Sequence, residues 1–315
     1  MNKKLNLAVA GALMAFGASA AHAGIIIPAG DWTLDIGGNV NAYYTYTDSD
    51  SANAAVIGGV AGVAGLDDKQ TNITTGLLPN YLSVSGKTRQ NDLDVGFTIS
   101  IQPGTSTNNA LIQTGGGLDG NGNQENRQAF PTFGDKSWGT IKAGKDLGIF
   151  GSDAILSDMT LLGVGAGAQL SGNTTTLGGI GTGYLYADWK AQISYWSPNW
   201  NGFSFALGVM QPWQTIGINS ATAVALGNAA LATPVNQTRS EPGFEGKVNY
   251  EWAGDVAGKV WASFITQKVE DMTGGAIPVG TTENDRATGY DIGGTINLAG
   301  FAVTGYYYNG EGIGT

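Results

Sequence analysis

The sequence predicts an all-β chain that crosses a membrane as an antiparallel β-barrel. Three observations carry this. Apolar residues recur with a period of two over segments longer than soluble strands. The chain opens on an export leader. Its composition is rich in glycine and aromatics, with 51 Gly, 8 Trp, 12 Tyr and 10 Phe in 315 residues.

The leader comes first. In "MNKKLNLAVAGALMAFGASAAHA", Lys3 and Lys4 form a positive start and Leu5 to Phe16 an apolar stretch. Ala21-His22-Ala23 fits a small-x-small cleavage site, so residues 1–23 read as a signal peptide and the mature chain starts at Gly24. The apolar stretch is too short for a spanning helix, which needs ~20 residues.

Removing the leader sharpens the composition. Lys3 and Lys4 go, leaving 13 Lys+Arg against 25 Asp+Glu, a net charge of −12. The sole histidine, His22, goes too, and there is no cysteine. This excludes Ser-His-Asp and Cys-His catalysis and the commonest zinc, copper and haem ligands. The reading is therefore not an enzyme, with no cofactor and no metal. An acidic chain is also a poor nucleic-acid ligand.

The alternation follows. In 93–102, Leu93, Val95, Phe97, Ile99 and Ile101 oppose Asp94, Gly96, Thr98, Ser100 and Gln102. In 244–252, Phe244, Val248, Tyr250 and Trp252 oppose Glu245, Lys247, Asn249 and Glu251. Segments 32–46 and 290–298 behave alike. A soluble sandwich also alternates. A barrel is favoured because the strands run to ~9–11 residues and the polar face carries charge along its length, as a wet lumen would. Short connections also alternate with long ones (49–76, 103–125, 149–183, 212–240, 270–286). Trp32, Tyr46, Trp138, Trp196, Trp200 and Trp252 gather near strand ends, as interfacial aromatics do.

About eleven strands are expected: 32–47, 77–86, 93–102, 126–134, 138–148, 185–196, 202–211, 243–252, 256–267, 287–298 and 301–309. Bacterial single-chain barrels have even counts. The expectation is that 24–315 is one barrel domain whose C-terminal strands lie beyond this sequence.

Two stretches resemble the trimeric general porins of Gram-negative outer membranes. In "ISYWSPNWNGFSFALGV", Tyr195, Ser197, Pro198, Gly202 and Phe203 meet a Y-x-S-P-x-x-x-G-F pattern. "NRQAFPTFGDKSWGTIKAGKDLGIFGSDAILSDM" resembles that family's R-x-A-F strand, its W/F-G-T-x-x-x-G-[RK] strand and the start of its third long loop. The resemblance implies a barrel of about sixteen strands, a homotrimer in outer-membrane lipid and lipopolysaccharide, and a third loop folded inward. Such a pore passes small hydrophilic solutes and ions. The open alternatives are a substrate-specific channel for sugars or aromatic compounds and a structural or adhesive surface barrel.

The resemblance also assigns candidate pore residues. Asp153 and Asp158 match loop acids of the constriction. Arg127 matches a basic wall residue, while Tyr81 and Asp188 stand where many relatives carry a base. Lys142 and Lys145 lie on the strand leading to the third loop, and strict alternation puts Lys145 outside. "GTIKAGKD" (139–146) nearly spells a phosphate-binding loop, but that motif needs a hydroxyl where Asp146 stands, and a helix after it. It reads as a barrel strand instead.

Overall fold

A computed structural model describes residues 24–48, 69–105, 124–167, 175–212, 241–269 and 285–312. The leader 1–23 and most of the expected long connections lie outside the described residues. The strands are β1 (Ile25–Ala29), β2 (Trp32–Asn39), β3 (Tyr43–Asp48), β4 (Lys69–Thr74), β5 (Tyr81–Gln90), β6 (Leu93–Pro103), β7 (Gln124–Asp135), β8 (Gly139–Leu147), β9 (Trp189–Trp196), β10 (Phe203–Met210), β11 (Gly243–Trp252), β12 (Val256–Val269), β13 (Asp285–Leu298) and β14 (Phe301–Glu311). One short helix, α1 (Ser152–Leu156), lies between β8 and β9.

Twelve strands form one antiparallel sheet in the order β1-β2-β5-β6-β7-β8-β9-β10-β11-β12-β13-β14, and β3 pairs with β4 alone. Among the described residues the edges β1 and β14 do not pair, so the sheet is open. Tight turns join its strands at one rim. Asn91 and Asp92 both take positive φ, as do Ala299 and Gly300. That is the backbone a two-residue hairpin requires.

The sheet has two chemically distinct faces. Ile99, Phe133, Ile193, Leu207, Val248, Val260, Phe264, Ile292, Ile296 and Val303 are exposed on one. Ser100, Gln102, Asp146, Lys190, Gln192, Ser194, Glu245, Lys247, Ser263, Gln267 and Asp291 are buried on the other. Exposed apolar and buried polar side chains invert the soluble pattern. Described residues of 148–167 and 175–188 touch this polar face: Ile149 N donates to Glu245, and Asp153 pairs with Lys247 and Lys259. Ile149 and Phe150 are fully buried there. Two apolar clusters sit beneath the segment: Ala154, Ile155, Ile180, Tyr184 and Ala187 with Leu77, and Phe150 and Leu185 with Met210 and Ile265.

Three expectations need correction. First, 32–47 is two strands, because asparagines replace the ladder at Val40–Ala42. Asn41 Nδ2 donates to Leu78 O at 2.9 Å, and Gly76 N donates to Asn41 Oδ1 at 2.8 Å. Asn39 Nδ2 donates to Pro79 O at 3.1 Å. Pro79 has no N–H to give a ladder, which also delays β5 from 77 to Tyr81. Second, β1 and β4 were not foreseen. Third, Trp196 is no rim aromatic. It lies on the polar face, donating Nε1–H to Ser194 Oγ at 3.0 Å beneath the ammonium groups of Lys142 and Lys247.

Val260→Arg, at the centre of the apolar face, should cost about 2–4 kcal/mol of folding into a bilayer. Ser85→Arg, on the polar face, should cost less than half of that in the same urea titration in lipid vesicles. Equal costs would mean that the apolar face does not meet lipid.

Candidate functional site

The polar face is built by strand parity. On β8, Thr140, Lys142, Gly144 and Asp146 share a face, and Lys142 and Asp146 pair across one another with Ser194 and Lys190 of β9. Lys142 forms an ion pair with Asp146 and sits 4.9 Å from the Phe130 ring centroid and 4.8 Å from that of Trp196. Lys145 takes the opposite, exposed face, opposite Ala129 and Ala191. Gly144 has φ +130°, and a Cβ there would stand 2.3 Å from Ala129 O. Glycine is therefore required in the middle of this strand.

The chain then leaves the wall and returns. Gly148 N donates to Asp188 O at 2.7 Å, closing the neck of the excursion. Asp188 itself has φ 58°, and its carboxylate accepts from Trp189 N at 2.6 Å. That side chain starts β9.

The excursion is fastened by charge. Glu245 accepts from Ile149 N at 2.6 Å and is paired with Lys190, both side chains 2% exposed. One turn on, Asp153 takes Lys247 at 2.8 Å and Lys259 at 2.5 Å. Lys259 also faces Glu251 at 3.6 Å. Burial alone would raise the Asp153 carboxyl, but Lys247 and Lys259 outweigh it and hold it below the usual carboxylate range. Asp291, buried, accepts from Ser263 Oγ at 2.6 Å and from Tyr306 Oη at 3.1 Å.

Asp158 fastens the excursion to itself. Its carboxylate accepts from Gly179 N at 2.7 Å, from Thr160 N and Oγ1 at 2.7 Å, and from the Tyr184 hydroxyl. Burial works against its ionisation, yet these donors hold it below its ordinary value. Burial and that carboxylate together push the Tyr184 phenol up. The far end of the excursion reaches the β4–β5 link, where Leu77 N donates to Gly163 O at 2.8 Å and Thr175 Oγ1 to Leu77 O at 2.7 Å.

The expected residues are thus brought to one face unevenly. Arg127 is 6% exposed; its Nε donates to Glu125 at 2.9 Å and its guanidinium lies 5.8 Å from the Trp189 ring centroid. Tyr81 is half-buried where β5 begins, opposite Asn39. Lys145 stands apart from them all. The sequence reading missed Lys190, Glu245, Lys247, Lys259 and Asp291. Their signal was present, since 245, 247, 249 and 251 alternate and the register sets Lys259 opposite Glu251.

This twelve-stranded wall, apolar outside and charged inside, is that of an outer-membrane β-barrel. The chain belongs to the Gram-negative porin family, which matches it over residues 8–314, and so to the outer membrane. Among solved structures it is similar to the outer-membrane channel DcaP of Acinetobacter baumannii, at 14% identity and TM-score 0.49 over 84% of this chain. It spans 60% of that channel's length. It is similar to OmpT of Vibrio cholerae in its trimer form, at 12% identity and TM-score 0.37, covering 89% of this chain and 78% of that one. It is also similar to Salmonella typhi OmpF in complex with daunomycin, at 12% identity and TM-score 0.38, covering 91% and 82%. Comparison with curated proteins finds no match.

Because Asp158 has a lowered value in the fold, the stability it lends is complete above the ordinary carboxylate value of 3.8 and is lost as pH falls through the folded one. Hydrogen exchange at the Gly179 and Thr160 amides should therefore stay slow down to that pH and accelerate below it. Asp158→Asn should remove the pH dependence. Asp153→Asn leaves Lys247 and Lys259 under the excursion without their shared counter-charge and should cost about 3 kcal/mol in urea unfolding.

Proposed function

We propose that the protein is a water-filled diffusion channel for small hydrophilic solutes and ions, narrowed by the segment 148–188 folded into its lumen. The observation that carries this is the fastening of that segment to the charged face through Asp153, Lys247 and Lys259. A segment bound to the inner wall leaves part of the cross-section for water and excludes large solutes.

The geometry refines the roles that the resemblance implies. Asp153 acts as a tether: it neutralises two wall lysines instead of facing them across open water. Asp158 holds the excursion's own shape. Arg127, Lys142, Tyr81 and Asp188 line or brace the wall beside it. Lys145, on the outer face near the rim of the long connections, suits a lipopolysaccharide phosphate better than a solute. The lumenal bases are mostly matched by acids, so the net charge of −12, from 13 Lys+Arg and 25 Asp+Glu after leader removal, sets a mild preference for cations. The assembly is a homotrimer, the arrangement the family resemblance implies. A channel of this kind carries out no covalent chemistry.

Planar-bilayer recording tests this. Purified protein should insert in events of three equal conductance steps, and a salt gradient should give a reversal potential of cation sign. Asp153→Asn, which frees two ammonium groups, should move that potential toward anions. Absence of conductance would sink the channel reading. A clear anion preference in the wild type would sink the selectivity.

A further inference from the structure

The leader and the first strand meet at one residue. Cleavage after Ala21-His22-Ala23, as the leader pattern predicts, would make Gly24 the first residue of the mature chain. Gly24 directly precedes β1, which pairs with β2 in the register Ile25↔Ile36, Ile26↔Asp35. Residues 24 and 26 share a face, so Gly24 is the diagonal neighbour of Asp35. The approach is close: a Cβ on Gly24 would stand 2.0 Å from Asp35 Oδ1 and 2.9 Å from its Cγ. A nitrogen on the same Cα lies ~2.5 Å from such a Cβ, which places it within about 4.5 Å of that oxygen by the triangle rule. Asp35 has no hydrogen-bond or ion-pair partner among the described residues, unlike most acids of the polar face.

We infer that leader cleavage creates the partner of Asp35: the new α-ammonium of Gly24 forms an ion pair with this carboxylate on the lumenal wall. Hydrolysis of the Ala23–Gly24 peptide bond, with water as co-reactant, leaves a carboxylate on Ala23 and an amine on Gly24 that takes up a proton. Before cleavage that nitrogen is a neutral amide, and the cation nearest Asp35 on its face is Lys87, two residues along β5 from its partner Ser85. After it, β1 is closed at its free end by an ion pair as well as by its ladder with β2.

The placement gives the pair a purpose. β1 rises only five residues from the tight turn at Gly30–Asp31, roughly 17 Å along a strand. The mature terminus therefore lies part-way up the polar face, and a retained leader would start there. Cleavage removes that obstruction and supplies the charge that seats the terminus on the wall. The absence of a Cβ at Gly24 lets the Asp35 carboxylate lie directly over this Cα. The charged groups near this amine are few. Among the described residues β1 packs only on β2, which brings Asp35, with Asp31 in the turn below; β5 brings Lys87, opposite Thr33.

The test is the titration of the terminal amine in the mature full chain, read as the rate of α-amine acylation against pH by mass spectrometry of the N-terminal peptide. In the wild type the midpoint should lie about one unit above the ordinary 7.7–8.0 of an α-amine. Asp35→Asn should return it to that range. Lys87→Gln, which removes the nearest competing cation, should leave it raised. Because the value is raised in the fold, the pair's stabilisation holds below the ordinary midpoint and fades as pH climbs through the folded one. Equal midpoints in wild type and Asp35→Asn would overturn the inference, as would a mature terminus other than Gly24. The readout needs no channel activity, so it succeeds or fails separately from the diffusion reading.

Discussion

A backbone in hydrocarbon finds no water, so every N–H and C=O must be satisfied by another strand. This constraint organises the rest of the molecule. It demands a continuous antiparallel ladder, here twelve strands in one sheet. A ladder fixes side-chain parity, and parity sends neighbouring residues into opposite media. Ile141 and Lys142, one residue apart, therefore live on different sides of the wall. Where side-chain amides and Pro79 displace the ladder, at Asn39 and Asn41, the strand ends and the chain diverts into the β3–β4 hairpin.

The second consequence is electrostatic. A face that carries lysine, aspartate and glutamate can be wet and unpaired, or covered and compensated. Where described residues of 148–167 and 175–188 lie beside it, the charges are compensated: Lys142 with Asp146, Lys190 with Glu245, Lys247 and Lys259 with Asp153. Burying these groups without partners would cost several kcal/mol each. The same pairs that make the covering segment tolerable also fix where it sits. Apolar packing of Phe150, Leu185, Met210 and Ile265 completes the contact. The buried core of this chain is thus the joint between an excursion and a wall, not the interior of a sandwich.

Much of this was legible in the sequence. Segments 93–102, 244–252 and 290–298 announce themselves by strict alternation, and each falls within a strand. β1 was hidden because "IIIPA" is too short and too uniformly apolar to show a period. Trp196 misled because a tryptophan near a strand end looks the same facing lipid or facing a lysine. The partners of Asp153 were illegible for a different reason. Lys247 and Lys259 stand 94 and 106 positions away, and no local pattern says which wall an excursion will touch. The polar residues of β11 were visible as a face, but their selection as partners is tertiary.

The central claim is that Asp153 holds the excursion against the wall at Lys247. The chain has no cysteine, so a double variant, Asp153→Cys with Lys247→Cys, carries the only thiols. A bifunctional thiol cross-linker that spans the length of the replaced ion pair, applied to intact outer membranes and read by the gel shift of a thiol-reactive tag, should join the pair within each chain and leave almost no free thiol. Asp153→Cys paired with Lys87→Cys should stay unlinked. Failure of the first pair to close, or equal closure of both, would contradict the account.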